Sequence, residues 1–147
     1  MAKYGILPDN MDTPAGFREH AHTADWELEV WAPNLPGLLE QAARGMYALA
    51  GMRLQPGPNI THQVELHGND AESLLVRFLS ELLWIQQEQG LGFEQFSIDV
   101  GANHSVQAEL GGHAIANLDK EIKAVTYHNL QVESTPQGLR ANIVFDV

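Results

Sequence analysis

The sequence predicts an α+β fold: a single two-layer domain with a mostly antiparallel sheet and two main helices. Two segments repeat apolar residues at the spacing of an amphipathic helix, and several others alternate apolar and polar residues as strands do. These segments do not follow the regular strand–helix–strand order of a doubly wound parallel sheet. The chain has 147 residues, which fits one domain of ordinary size with a substantial core.

The chain is predicted to begin with a lead-in and two strands. Residues 1–15 contain turn formers and are expected to be a flexible lead-in, so that the domain spans residues 16–147. A first strand is predicted over residues 16–22. The alternation of apolar and polar residues from Trp26 to Ala32 predicts a second strand.

Both predicted helices carry start and stop signals. Asn34 is a suitable N-cap for the first helix, and Gly51 stands where a glycine would end it. Asn69 or Asp70 is the expected N-cap of the second helix, which Gly90 would end. The apolar residues between these signals recur on one helical face, as expected for helices that cover a sheet.

The remaining strands are predicted from alternating apolar residues. They lie at residues 60–66, 96–100, 106–110, 121–133 and 139–147, with a Thr135-Pro-Gln-Gly138 turn before the last. In the strand predicted at 121–133, both faces mix apolar and polar side chains, and Lys123 and His128 lie on opposite faces. A strand that only covered a core would not need this mixture.

The composition excludes several classes of function. The formal net charge is −11, which argues against direct binding of nucleic acid or an anionic membrane and favours a basic protein surface or a metal ion. The absence of cysteine excludes disulfides, thiolate metal sites and a cysteine nucleophile. Because no signal peptide or membrane-spanning run is evident, the expected location is the cytoplasm.

Carboxylates at two places could bind a metal ion. Asp25, at a bend between two predicted strands, is either a metal ligand or a turn residue that accepts a backbone hydrogen bond. The last strand ends at Asp146 and Val147, so the Asp146 side chain and the chain-terminal carboxylate lie side by side. Such oxygen groups repel one another unless a cation separates them, and Ca²⁺ and Mg²⁺ prefer oxygen ligands. The alternative is an edge strand with an exposed terminal aspartate.

Histidines offer a second kind of metal site. His20 and His22 share one face of the first predicted strand, and this spacing can chelate a transition metal. Histidines that form hydrogen bonds within the fold are commoner. The chain contains no nucleophile elbow, phosphate-binding loop, His-Glu-x-x-His helix or dinucleotide-binding glycine motif.

Four motifs together resemble those of the archease family. They are His22-Thr-Ala-Asp25, an Asp70-x-x-x-Leu-Leu helix, Lys123-Ala-Val-Thr-Tyr-His128 and a penultimate Asp146. They follow in order from about residue 17 to residue 147. The chain departs from the family pattern at Ala21, where an acidic residue is frequent, and at Trp26-Glu27, where an aliphatic residue and glycine are frequent.

The resemblance implies an enzyme activator, not an enzyme. Archeases assist the RtcB-type RNA ligase of tRNA splicing and RNA repair by promoting its guanylylation and multiple turnover. The family's metal ligands correspond to Asp25, Asp146 and the Val147 carboxylate, with Ca²⁺ as the expected cation and Mg²⁺ or Mn²⁺ as alternatives. His22, Lys123 and His128 are then expected to face the partner or to lie beside the metal ligands.

Two other functions fit parts of the same pattern. A small metal-dependent hydrolase would bind zinc through His20, His22 and Asp25. A binding module would hold a cation that only stabilises the fold. The oligomeric state does not follow from the sequence.

Overall fold

The computed structural model describes residues 13–21 and 26–147. Within these ranges the chain forms nine β-strands, two α-helices and a short 3-10 turn at Ala102–His104. In chain order the elements are β1 (Gly16–Ala21), β2 (Trp26–Ala32), α1 (Leu35–Ala50), β3 (Arg53–Leu54), β4 (Ile60–His67), α2 (Ala71–Gln89), β5 (Leu91–Gly101), β6 (Ser105–Asn117), β7 (Ala124–Val125), β8 (Glu133–Thr135) and β9 (Gly138–Asp146).

The strands form two sheets in which every pairing is antiparallel, so the predicted α+β class is confirmed. In the five-stranded sheet, β2 lies between β1 and β9, and both β7 and β8 pair with β9. In the four-stranded sheet, β6 is the common partner of β3, β4 and β5. The sequence did not predict β3, because its two residues are too few to show alternation.

The caps predicted for both helices are confirmed. The Asn34 side chain accepts a hydrogen bond from the Gly37 backbone N–H at 2.9 Å. The cap of α2 is Asp70 and not Asn69: Asp70 accepts from the Ser73 N–H at 2.8 Å, and the Ser73 hydroxyl accepts in return from the Asp70 N–H. Gly51 and Gly90 end the helices with φ angles of 62° and 66°, a conformation that favours glycine.

The core lies between the helices and one face of each sheet. Leu28, Val30, Ile143 and Phe145 of the five-stranded sheet are at most 1% exposed, and they alternate with residues that point to the opposite, outer face. That outer face carries charged and amide side chains. No helix in the described part of the chain is long and apolar enough to cross a membrane.

The single strand predicted at residues 121–133 is wrong. The structure has only β7 and β8 there, both beside β9, and the chain between them leaves the sheet. The buried side chains near β7 are Ile122 and Val125, three residues apart and not two. The predicted assignment of these residues to two alternating faces therefore fails as well.

Local hydrogen bonds explain why the strand is interrupted. The Leu130 N–H donates to the Tyr127 carbonyl at 3.0 Å, which closes a turn, and Asn129 has a φ angle of 52°. The Val132 N–H donates to the Glu72 carboxylate of α2 at 2.7 Å. Because these groups find partners outside the sheet, the segment between β7 and β8 does not need to continue pairing with β9.

Candidate functional site

The carboxyl end of β9 holds the residues that the sequence predicted as metal ligands at the C-terminus. Ala124 of β7 pairs with Asp146, and the Lys123 N–H donates to the Asp146 carbonyl at 2.8 Å. The Thr126 N–H and hydroxyl both donate to the Val144 carbonyl at 3.0 Å. The backbone that carries the Asp146 side chain is therefore fixed by the segment beside it.

The side chains at this end differ in their exposure. Phe145 is buried, and the next residue, Asp146, is exposed on the outer face. Val147 is half-buried and packs against the core. The Asp146 carboxylate is a hard oxygen donor of the kind that Ca²⁺ and Mg²⁺ bind.

Asp25 and His22 lie outside the described residues. The residue that follows Asp25, Trp26, pairs with Phe145, so the beginning of β2 lies beside the end of β9. Within residues 13–21 and 26–147, no group of three or more His, Cys, Asp or Glu side chains could hold a metal ion. Of the predicted ligand side chains, the structure therefore describes Asp146, and within these residues it is not part of such a group.

Lys123 and His128, the two functional candidates of this segment, lie at different places in the structure. Lys123 is exposed and directly precedes β7, whose first residue pairs with Asp146. His128 is exposed within the turn between β7 and β8, where its N–H donates to the Thr126 hydroxyl at 3.2 Å. The Lys123 backbone is thus bonded to Asp146, whereas His128 lies at a separate exposed position.

A cation–π contact lies next to the same end of the sheet. The Lys120 ammonium stands 3.6 Å from the centre of the Trp26 ring. Such contacts contribute about 0.5–1 kcal/mol at exposed sites. Trp26 occupies a position where the resemblance predicted an aliphatic residue, so this contact is a particular feature of this chain.

A cluster around Glu29 lies in the middle of the outer face, where Glu29 of β2 pairs with Asn142 of β9. Glu29 is only 8% exposed, and its carboxylate is bound by three basic side chains. The first carboxylate oxygen, Oε1, lies 2.9 Å from His20 Nε2 and 3.1 Å from Arg18 Nη2. The second, Oε2, accepts a hydrogen bond from Arg140 Nε at 2.9 Å.

The basic side chains determine the protonation of Glu29. Burial by itself raises the pKa of the carboxyl, but the hydrogen bonds from His20 and Arg140, with the charges of Arg140 and Arg18, outweigh it. The resulting pKa lies below the ordinary value of 4.5. Glu29 is therefore ionised at neutral pH and gives His20 a partner within the fold.

Sequence reasoning missed this cluster. Arg140 and Glu29 are separated by 111 residues in the chain, and only the pairing of β2 with β9 brings them together. The available signal was that Glu29 and Arg140 each occupy a polar position of an otherwise apolar strand. The commoner alternative for His20, a hydrogen bond within the fold, is what the structure shows.

The structure is an α+β domain of two antiparallel sheets and two helices, with the exposed Asp146 at the end of β9. Residues 17–147 match the Archease protein family (MTH1598/TM1083), so the chain belongs to the archease family. The curated protein archease of Archaeoglobus fulgidus is 34% identical over 130 residues, covering 86% of this chain and 95% of the relative. The protein archease of Methanosarcina barkeri is 30% identical over 134 residues, covering 86% and 92%.

Two solved structures share the fold. Protein 1598 of Methanobacterium thermoautotrophicum superposes with a TM-score of 0.67 at 20% identity, covering 90% of this chain and 99% of that chain. An archease of Thermotoga maritima, described as a possible chaperone, has a TM-score of 0.63 at 22% identity and covers 94% and 98%. At these identities the likeness is one of fold.

Proposed function

We propose that the protein is a metal-binding accessory protein that activates an RtcB-type RNA ligase. Its role is to promote guanylylation and multiple turnover of the ligase in tRNA splicing or RNA repair, without catalysing a reaction itself. Family membership supports an accessory protein. The observation that carries the metal site is the fixed, exposed Asp146 next to the chain terminus at the end of β9.

The proposed ligands are Asp25, Asp146 and the Val147 carboxylate. The beginning of β2 lies next to the end of β9, because Trp26, the residue after Asp25 in the chain, pairs with Phe145. Oxygen ligands alone favour Ca²⁺, with Mg²⁺ or Mn²⁺ as alternatives. A bound divalent cation would offset most of the negative charge of these carboxylates and could also coordinate phosphate oxygens. Pairing with β7 holds the backbone of Asp146 in place.

The proposed partner contact is between proteins. At a net charge of −11 the protein does not attract RNA, but it is attracted to the basic surface of an enzyme that binds nucleotides. Lys123 and His128 are exposed and are proposed to face the ligase, together with His22. The ammonium group of the exposed Lys123 could form an ion pair with a phosphate group bound in the ligase.

Substitution of the carboxylates tests this proposal. Asp25→Asn and Asp146→Asn should each lower Ca²⁺ affinity, measured by calorimetry, and should lower formation of the guanylylated ligase. Asp99→Asn is the matched control, because Asp99 is an exposed carboxylate of the other sheet. Full ligase guanylylation by both site variants would remove this site from the function.

The same variants distinguish a cation that is needed to activate the ligase from a cation that only stabilises the fold. A structural ion predicts that Asp146→Asn lowers thermal stability in Ca²⁺ while the ligase remains fully activated. Activation predicts that ligase turnover falls even at a temperature where the variant is fully folded. Circular dichroism of each variant at the assay temperature provides that check.

A further inference from the structure

We infer that the outer face of the five-stranded sheet carries a second binding site, for a small apolar monocarboxylate. The site is a cavity of about 160 Å³, termed here the Arg18–Arg140 pocket. Its wall is formed mainly by Arg18, Glu29, Trp31, Leu139 and Arg140, with Gln137 at the turn between β8 and β9. This site goes beyond the proposed activation of a ligase and does not depend on it.

The pocket is separate from the candidate metal site. Arg140 and Asp146 both lie on β9, six residues apart. At the rise of an extended strand, this places them roughly 20 Å apart. A ligand of the size of this cavity cannot contact both, so the two sites can be tested independently.

The polar side of the pocket consists of guanidinium groups that are held in place. Glu29 is buried and binds Arg18 through one oxygen and Arg140 through the other. Arg140 also bonds Glu133 through Nη1 at 3.2 Å. A guanidinium has five N–H donors, and these contacts use one donor of Arg18 and two of Arg140. The remaining donors are available to a carboxylate, which guanidinium groups bind well.

The other side of the pocket is apolar and rigid. The Trp31 indole N–H donates to the Thr13 carbonyl at 3.0 Å, and the Arg18 guanidinium lies 5.6 Å from the ring centre. Both contacts fix the ring orientation, and Leu139 completes the apolar surface. An apolar cavity of about 150 Å³ accepts benzene. The size and lining of this pocket therefore suit the body of a benzoate-sized acid.

The balance of charge favours a monocarboxylate over a phosphate. The charged residues that line the pocket are Arg18, Arg140 and Glu29, with a net charge of +1. One carboxylate balances this charge, whereas a doubly charged phosphate exceeds it. A single carboxylate needs only directed N–H donors and an apolar surface for its body. The same chemistry is present in a free organic acid and in the C-terminus of a polypeptide that ends in an apolar residue.

Titration with benzoate tests the inference on the full chain. The expected result is saturable binding, with a shift of the Trp31 indole N–H signal in the NMR spectrum. Neutral benzamide should bind about tenfold more weakly, because it lacks the charge that the guanidinium groups recognise. Arg18→Gln should weaken benzoate binding by a similar factor. Arg18 lies on an edge strand, so this variant is expected to fold.

Control variants and a second pair of ligands complete the experiment. Arg53→Gln alters an exposed arginine that pairs with Asp119, and it should leave benzoate affinity unchanged. A short peptide that ends in phenylalanine, compared with its C-terminal amide, distinguishes a polypeptide terminus from a free acid. Binding of benzoate or of the free peptide acid supports the site and identifies its source. The inference is overturned if neither binds, if benzamide matches benzoate, or if inorganic phosphate binds more tightly than both acids.

Discussion

Two carboxylates on the outer face of the five-stranded sheet have opposite surroundings. In the middle of the face, Glu29 is buried and bound by Arg18, His20 and Arg140. At the end of β9, Asp146 is exposed, and the neighbouring segment holds its backbone and not its side chain. The difference is that the Glu29 carboxylate is satisfied by partners within the fold, whereas the Asp146 carboxylate is exposed and can accept a partner from outside.

The largest expected effect is the loss of stabilisation by Ca²⁺ in Asp146→Asn. A ligand at a hundred times its Kd stabilises the folded state by about 2.7 kcal/mol. The wild-type protein should gain roughly this amount, and Asp146→Asn should gain little, as measured by urea denaturation with and without Ca²⁺. Asp99→Asn should keep the full gain. An equal gain in all three proteins would mean that the exposed end of the sheet is not the cation site.

Loss of Arg140 should produce the next largest effect. Arg140→Ala removes one partner of the buried Glu29 carboxylate, and because Arg18 and His20 remain, we expect a loss of about 2 kcal/mol in unfolding free energy. Arg53→Ala breaks an exposed pair and should cost about 0.5 kcal/mol. Similar losses of unfolding free energy in the two variants would show that the bond between Arg140 and Glu29 stabilises the protein no more than an exposed ion pair does.

Acid should lower the stability of the folded protein by protonating Glu29. Because the pKa of Glu29 is lowered from 4.5 in the folded protein, the stability it contributes is fully present above its unfolded value and is lost as pH falls through the folded value. Below about pH 4.5, the wild-type protein should therefore lose stability more steeply than Glu29→Gln. Denaturation midpoints at several pH values measure both slopes, and parallel curves would contradict the assignment.

The smallest expected effect concerns the turn beside the exposed end. Asn129 has a φ angle of 52°, a conformation that β-branched residues disfavour, so Asn129→Val should cost about 1 kcal/mol. Asn129→Gly should leave stability near the wild-type value. Gln131→Val is a neighbouring control at another exposed position. If Asn129→Val were neutral, the segment between β7 and β8 would not form this turn in solution.

Part of the candidate site was accessible from the sequence, and part was not. Asp146 and Val147 were identified from the end of the last predicted strand and from the resemblance to a family, and Lys123 from the resemblance alone. In the structure the Lys123 backbone N–H donates to the Asp146 carbonyl. The strand predicted around Lys123 was wrong, because alternation does not reveal that Glu72, a residue on another element, binds the Val132 N–H. The metal-binding roles of Asp25, Asp146 and Val147, and the roles of His22, Lys123 and His128, stay predictions.

The sequence by itself determined the class of fold, the two helices with their caps, and most strand positions. These features follow from local interactions: a cap bonds a backbone group three residues away, and periodicity reflects which side chains share one face. Only the tertiary structure decided that β7 and β8 share one edge of β9, and that Arg140 meets Glu29 across the sheet. Those contacts join residues far apart in the chain, so their register depends on the packing of the whole domain.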